Sequence, residues 1–200
     1  MSSASNPVDL RDEPTDYQLV RRCQQGDLNA YELLVRRHHH RVFHLAYSIV
    51  RNESDANELA HEAFVRAWQN IRKFKRDAAF YTWLYRITTN LCIDHCRRRD
   101  RMPTTELPAA DTSETNADAP EPPSTNPSPT DEILRAELRR QIESALHQLS
   151  PEHRAVIQLR EYEGLDYATI AKVVGCSIGT VMSRLHYARK NLQRILGKVL

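Results

Sequence analysis

Residues 166–192, DYATIAKVVGCSIGTVMSRLHYARKNL, read as two helices joined by a tight turn. Asp166 stands where an N-cap accepts from backbone amides, Ile170, Ala171 and Val174 give the first helix an apolar face, and Gly175 ends it. Ser177 can cap a second helix. There Val181, Leu185, Ala188, Leu192 and Ile195 recur at spacings of 4, 3, 4 and 3, which places them on one buried stripe. Thr180, Ser183, Arg184, Tyr187, Lys190 and Asn191 are left to point elsewhere. This is the pattern of a helix-turn-helix, whose second helix enters the DNA major groove with small polar side chains and arginine near its start. A surface hairpin in any all-helical protein has the same spacing, so the rest of the chain must decide between them.

The chain has 200 residues, 40% of them hydrophobic, which suits one or two small domains with modest cores. The opening MSSASNPVDLRDEPTD has neither a basic start nor an apolar run, so membrane insertion is not expected and the cytoplasm is the default. Four scattered cysteines (Cys23, Cys92, Cys96, Cys176) are too few for a disulfide framework and fit a reducing compartment.

The formal net charge of +2 conceals a partition. Residues 1–16 hold one Lys/Arg against four Asp/Glu, residues 17–101 hold 16 against 9, residues 102–132 hold none against 7, and residues 133–200 hold 11 against 6. Two basic bodies therefore flank an acidic connector, and like-signed basic domains point to a polyanionic partner.

Residues 103–130 contain seven of the ten prolines and almost no large apolar side chains. Such a segment cannot bury enough surface to offset chain entropy, so an extended, disordered linker is expected there, with a disordered tail over 1–16. Before the linker, apolar periodicity predicts helices over about 17–25, 28–50, 54–71 and 79–99. After it, Ile133, Leu134, Leu138, Ile142, Ala145, Leu146 and Leu149 mark an amphipathic helix. Ser150-Pro151 then starts another that reaches about Glu161, and Gly164 breaks the chain before the helix-turn-helix. No useful strand alternation occurs. The expectation is an all-α protein of two small domains, 17–102 and 131–200.

The fourth helix, FYTWLYRITTNLCIDHCRRRDR (80–101), combines aromatics, hydroxyls, amides and a terminal arginine run, a composition suited to unpaired bases and phosphates. Phe80, Trp83, Leu84 and Ile87 share a stripe that reads as core, which leaves Tyr81, Thr82, Tyr85, Arg86, Thr89 and Asn90 for contacts. Arg97, Arg98, Arg99 and Arg101 can reach phosphates, or simply complement the helix dipole. The third helix, SDANELAHEAFVRAWQNI (54–71), turns outward Asp55, Glu58, Glu62, Arg66 and Gln69. Carboxylates on an otherwise basic body fit a protein docking face, or a plainly solvated one.

With those residues in view, DANELAHEAFVRAWQNIRKF followed by FYTWLYRITTNLCIDHCRRR resembles region 2 of bacterial sigma factors. EYEGLDYATIAKVVGCSIGTVMSRLHYARKNL resembles their region 4. Two such domains on a short linker resemble the extracytoplasmic-function (RpoE-like) group of the sigma-70 family. The resemblance implies a promoter-directing subunit of RNA polymerase with no catalytic activity of its own and no cofactor. It implies that Asp55, Glu58, Leu59, Glu62, Phe64, Arg66 and Trp68 grip the clamp coiled coil of the largest core polymerase subunit. Melting and reading of the minus-10 element fall to the stretch 72–79, with Arg72, Lys73, Lys75 and Arg76, and to the helix bearing Tyr81, Thr82, Tyr85, Arg86, Thr89, Asn90, Arg97, Arg98 and Arg99. The minus-35 element falls to Ser177, Gly179, Thr180, Val181, Ser183, Arg184, Tyr187, Arg189 and Lys190. An anti-sigma protein covering both basic domains is implied as well. Ala168, Thr169 and Tyr187 depart from the family pattern, the first two where acidic residues are common and the third where arginine is.

Other chemistry has weak support. His38, His39 and His40 fan around a helix and cannot share one metal. Cys92, His95 and Cys96 share a face but lack an evident fourth ligand, so a zinc or thiol sensor rests on them alone. No phosphate-binding loop, HExxH or nucleophile elbow occurs, so no enzyme activity and no metal are expected. A stand-alone helix-turn-helix regulator would explain the C-terminal half equally well but leaves the aromatic and arginine helix unexplained.

Overall fold

A computed structural model describes residues 14–75, 78–101, 137 and 140–197. The expected tail over 1–16 falls almost wholly, and the linker wholly, outside them. The described secondary structure is all helix. The N-terminal half holds α1 (Asp16–Gln24), α2 (Leu28–Val50), α3 (Glu53–Asn70), a 3-10 turn (Ile71–Lys73) and α4 (Phe80–Arg101). The C-terminal half holds a helical stretch over 140–147, α5 (Pro151–Ile157) running into a π-helical turn (Gln158–Tyr162), α6 (Tyr167–Val174) and α7 (Ile178–Leu196).

Most helices begin on a side-chain oxygen. Thr15 and Gln18 form a reciprocal capping box, and Asp27, Asn52, Ser150, Asp166 and Ser177 each accept from the amide three residues on. Gly175 leaves α6 in the left-handed region (φ 71°), which glycine enters without steric cost, and so makes the tight turn into α7.

In the N-terminal half, Leu34, Val42, Leu45 and Ile49 of α2 meet α3 and α4. Ala56, Ala60, Ala63 and Ala67 form a small-residue row on α3, fully buried, which lets the helices approach closely. Tyr31 donates to the carbonyl of Phe64 and packs its ring 4.8 Å from Trp68. Gln24 Nε2 donates to the carbonyls of Ile71 and Phe74, fixing the turn after α3. In the C-terminal half, Ile170, Val173, Val181, Leu185 and Ala188 are buried as α7 packs on α5 and α6.

The two halves share a seam. α5 packs on α2 and α4, α6 packs on α4, and the buried residues of both halves form one continuous core. Tyr85 is fully buried, and its hydroxyl donates to Glu163 Oε2 at 2.7 Å. Burial and the neighbouring Glu163 push the phenol well above its ordinary value, so it remains a donor. Arg97 closes one end of the seam on Glu152 at 3.0 Å.

Candidate nucleic-acid interface

The second helix of the helix-turn-helix is built by local chemistry. Ser177 accepts from the amide of Thr180 at 3.1 Å, and its hydroxyl meets that of Thr180 at 2.9 Å. Ser183 donates back to the carbonyl of Thr180. With Val181, Leu185 and Ala188 turned inward, Gly179, Ser183, Tyr187, Arg189 and Lys190 are exposed, while Thr180 and Arg184 are half-buried. Val181 is fully buried, so it supports this helix rather than touching DNA, as its own place on the apolar stripe requires. Arg189 reaches Glu161 at 2.6 Å, and Arg184 lies near enough to His153 to help hold that imidazole below its ordinary value. Tyr167, Met182, His186, Arg189, Lys190 and Gln193 border a shallow groove along the outer side.

The second candidate surface lies on α4 and differs from expectation. Thr82, Tyr85 and Thr89 are 7%, 0% and 0% exposed, because α4 is packed against α2 and α3 on one side and the C-terminal half on another. In this arrangement they cannot reach a nucleic acid. Trp83 and Ile87, which read as core, stand instead at the rim. Together with Arg66, Asn70, Lys73 and Asn90 they line an open depression. That set brings an indole face, two amides and two cations together, the donors and stacking surface that an unstacked base and its phosphates need. Lys73 and Asn90 were anticipated as contacts; Asn70, Trp83 and Ile87 were not. An aromatic flanked by amides across two helices would have been the signal, but it is not visible in one helix alone.

Arg72, Lys73, Lys75, Arg86, Arg97, Arg98 and Arg99 are exposed and Tyr81 is half-buried. Arg76 lies outside the described residues.

On α3, Glu58 and Arg66 are exposed, and Glu62 accepts from Arg66 at 2.6 Å. Leu59 and Phe64, expected in the docking face, are 6% and 5% exposed and belong to the core. Trp68 is half-buried against Tyr31. Asp55 is occupied inside the domain, 3.2 Å from His95 and 3.8 Å from Arg99.

The thiols do not build a centre. Cys92 and Cys96 are buried and free, and burial raises both thiols. His95 turns to Asp55, and no group of three or more potential metal ligands is present among the described residues. No described helix is long and apolar enough to cross a membrane.

The family models match both halves: sigma-70 region 2 over residues 34–102 and sigma-70 region 4 over residues 139–192. In that order the two regions define a promoter-directing subunit of bacterial RNA polymerase. The chain belongs to the sigma-70 family, in its extracytoplasmic-function (ECF) group. It is 37% identical to the RNA polymerase sigma-H factor of Pseudomonas aeruginosa, over 92% of this chain and 95% of that protein. It is 36% identical to the ECF RNA polymerase sigma-E factor of Haemophilus influenzae, over 92% of this chain and 96% of that protein. Its fold is similar to that of CnrH solved in complex with the cytosolic domain of CnrY, at a TM-score of 0.62 and 26% identity, covering 90% and 96% of the two chains.

Proposed function

We propose that α7 reads an upstream duplex element while the α4 depression holds bases of the downstream element once the strands part. The observation that carries this reading is the pair of unlike surfaces in one chain. One is a helix face of hydroxyls and cations shaped for a major groove, the other an indole floor flanked by Asn70, Asn90 and Lys73. Stacking and phosphate contact in the depression would offset the few kcal/mol that unstacking costs. The exposed Glu58 and Arg66 of α3, with the half-buried Glu62 between them, dock on the clamp coiled coil of the largest core subunit. The chain contributes promoter choice and melting, supplies no catalytic group, and works in the cytoplasm.

The seam bears on how such a chain is held idle. With α4 covered by α5 and α6, Thr82, Tyr85 and Thr89 reach DNA only after the halves separate. A protein that stabilises the closed arrangement is then an anti-sigma factor in effect, and the CnrH complex offers a parallel in which a cytosolic domain is bound to a chain of this shape.

The test is transcription from a genomic library by purified core polymerase, with and without this chain. Discrete new start sites are expected only in its presence. Glu62→Lys should lower core affinity with unchanged helix content, since among the described residues Glu62 pairs only with its neighbour Arg66. No new start sites, with the chain folded and in excess, would overturn the reading.

A further inference from the structure

The start of α7 carries an apolar patch that its buried stripe does not use. Ile178 and Met182 stand one turn apart on the same side of the helix and are 48% and 54% exposed. A single exposed apolar side chain needs no account, but two of them side by side at the start of a helix read as entering DNA do. The hydroxyls around them are engaged: Ser177 and Thr180 meet at 2.9 Å, Ser177 accepts from the Thr180 amide, and Ser183 donates to the Thr180 carbonyl at 3.0 Å. Gly179, between the two, contributes no side chain, and the space beside its Cα is open apart from Ser177 Oγ. The bulkiest groups that this end of the helix presents outward are therefore hydrocarbon.

The surroundings decide what kind of partner covers them. Residues 178–196 include Arg184, Arg189, Lys190 and Arg194 and no carboxylate. Glu161, which reaches the helix from the preceding turn, is paired with Arg189 at 2.6 Å. Met182 borders the shallow groove beside His186, Arg189 and Lys190. An apolar patch rimmed by cations suits a polyanion that carries apolar groups of its own. In the major groove of duplex DNA that group is the C5-methyl of thymine, which stands at the base edges between two rows of phosphates. Recognition helices bring their N-terminal residues to those edges, and Ile178 and Met182 occupy that position while the cations lie further along.

We propose that Ile178 and Met182 are specificity-determining residues that read the C5-methyl group of thymine in the upstream duplex element. Closing the patch over a methyl removes apolar surface of both partners from water. A cytosine in the same place offers C5–H beside an amino group that neither side chain can satisfy. The unbranched thioether of Met182 adapts to the methyl, and Ile178 supplies a stiff wall. The inference rests on the reading of α7 as the duplex-binding helix and names the base feature which that helix selects.

The experiment uses holoenzyme, reconstituted from core polymerase and the full chain, to retain fragments of a genomic library. The upstream region of a retained fragment is then remade with each thymine, on either strand, replaced in turn by uracil, which deletes one methyl and keeps the base pairing. At one or two positions the replacement should weaken binding about fourfold, the worth of one buried methyl. Met182→Ala and Ile178→Ala should bring the thymine and uracil duplexes toward equal affinity at those positions, and Met182→Leu should restore the difference. Both side chains are exposed, so the unfolding midpoints of these variants should stay close to that of the parent. Tolerance of uracil at every thymine, or an upstream region without thymine, would overturn the inference while leaving α7 as the reading helix. A thymine preference that persists in the Ile178→Ala/Met182→Ala double variant would do the same, and if that variant also lost core affinity the patch would belong to a protein contact. Failure of the holoenzyme to retain any fragment would overturn the reading of α7 and this inference with it.

Discussion

The two helices proposed to meet DNA, α4 and α7, treat their polar residues in opposite ways. On α7 one narrow stripe is buried and nearly every anticipated contact stays at the surface, Val181 being the exception. On α4 the anticipated contacts Thr82, Tyr85 and Thr89 are buried along with Thr88, while the indole of Trp83 stands at the rim. The difference lies in how many neighbours each helix has. A helix packed on one side buries one stripe, and its periodicity assigns each residue to core or surface. A helix packed on two sides takes hydroxyls and a phenol inward: Thr88 donates to the Leu84 carbonyl and Tyr85 to Glu163, while the Oγ1 of Thr89 is buried without a hydrogen-bond partner among the described residues.

The largest expected effects separate the two faces of α7. Leu185→Ala, on the buried stripe, should cost about 2–5 kcal/mol of stability, measured by denaturant unfolding, with DNA affinity lost through unfolding of the motif. Arg184→Ala, one residue earlier, should leave the unfolding curve almost unchanged. It should cost about 1–3 kcal/mol of binding to the upstream element, with preference relaxed at one base pair if the guanidinium reads a guanine. A uniform loss across sequences would make Arg184 a phosphate contact, and equal stability losses in both variants would break the two-face description of this helix.

On α4 the corresponding probe is Tyr85→Phe. It leaves the ring in place and removes a hydrogen bond that crosses the seam, as the Arg97 to Glu152 pair also does. A hydrogen bond to a carboxylate is worth about 1.5–3 kcal/mol where burial is complete, and Glu163 at the seam is only partly shielded, so about 1 kcal/mol is expected. Because that bond exists only in the closed arrangement, the radius of gyration should rise as well as the unfolding midpoint fall. A lower midpoint with an unchanged radius would assign Tyr85 to the interior of one half and remove it from the seam.

This contrast also explains what could be read before any coordinates. Helix starts are legible because caps are local: Ser150-Pro151, Asp166 and Ser177 stand within one turn of the amides they satisfy. The apolar stripe of α7 is legible because a single contact surface sets it. The hydrogen bond of the buried Tyr85 reaches Glu163, 78 residues away, and no window along the chain contains both. The depression on α4 has the same origin, since Arg66 and Asn70 come from α3 and Trp83 and Asn90 from α4. The π-helical turn at Gln158–Tyr162, where the amide of Glu163 reaches the carbonyl of Gln158, has no periodicity signature of its own either, although it sets the position of Glu163.

The smallest expected effect concerns one histidine at the seam and one inside the C-terminal half. Partial burial, followed by the adjacent His40, holds His44 below the ordinary value of 6.5, with Glu163 across the seam pulling upward. Partial burial, followed by Arg184, holds His153 below it too, with Glu152 opposing, while Ser150 meets the ring Nδ1 at 3.0 Å. Both groups have folded-state values below their unfolded ones, so their contribution to stability is complete above pH 6.5 and is lost as pH falls through that value toward the folded ones. The unfolding midpoint should therefore decline from neutral to mildly acidic pH, and His44→Gln and His153→Gln should each flatten part of that slope. The two differ in shape change: protonating His44 strengthens its attraction to Glu163 across the seam, which offsets part of the loss by drawing the halves together, whereas protonating His153 sets charge between Arg184 and Glu152, both within the C-terminal half. A slope unchanged by either substitution would show that neither ring is held neutral, and a chain that expands on acidification only while His44 is present would reverse the sign assigned to the seam.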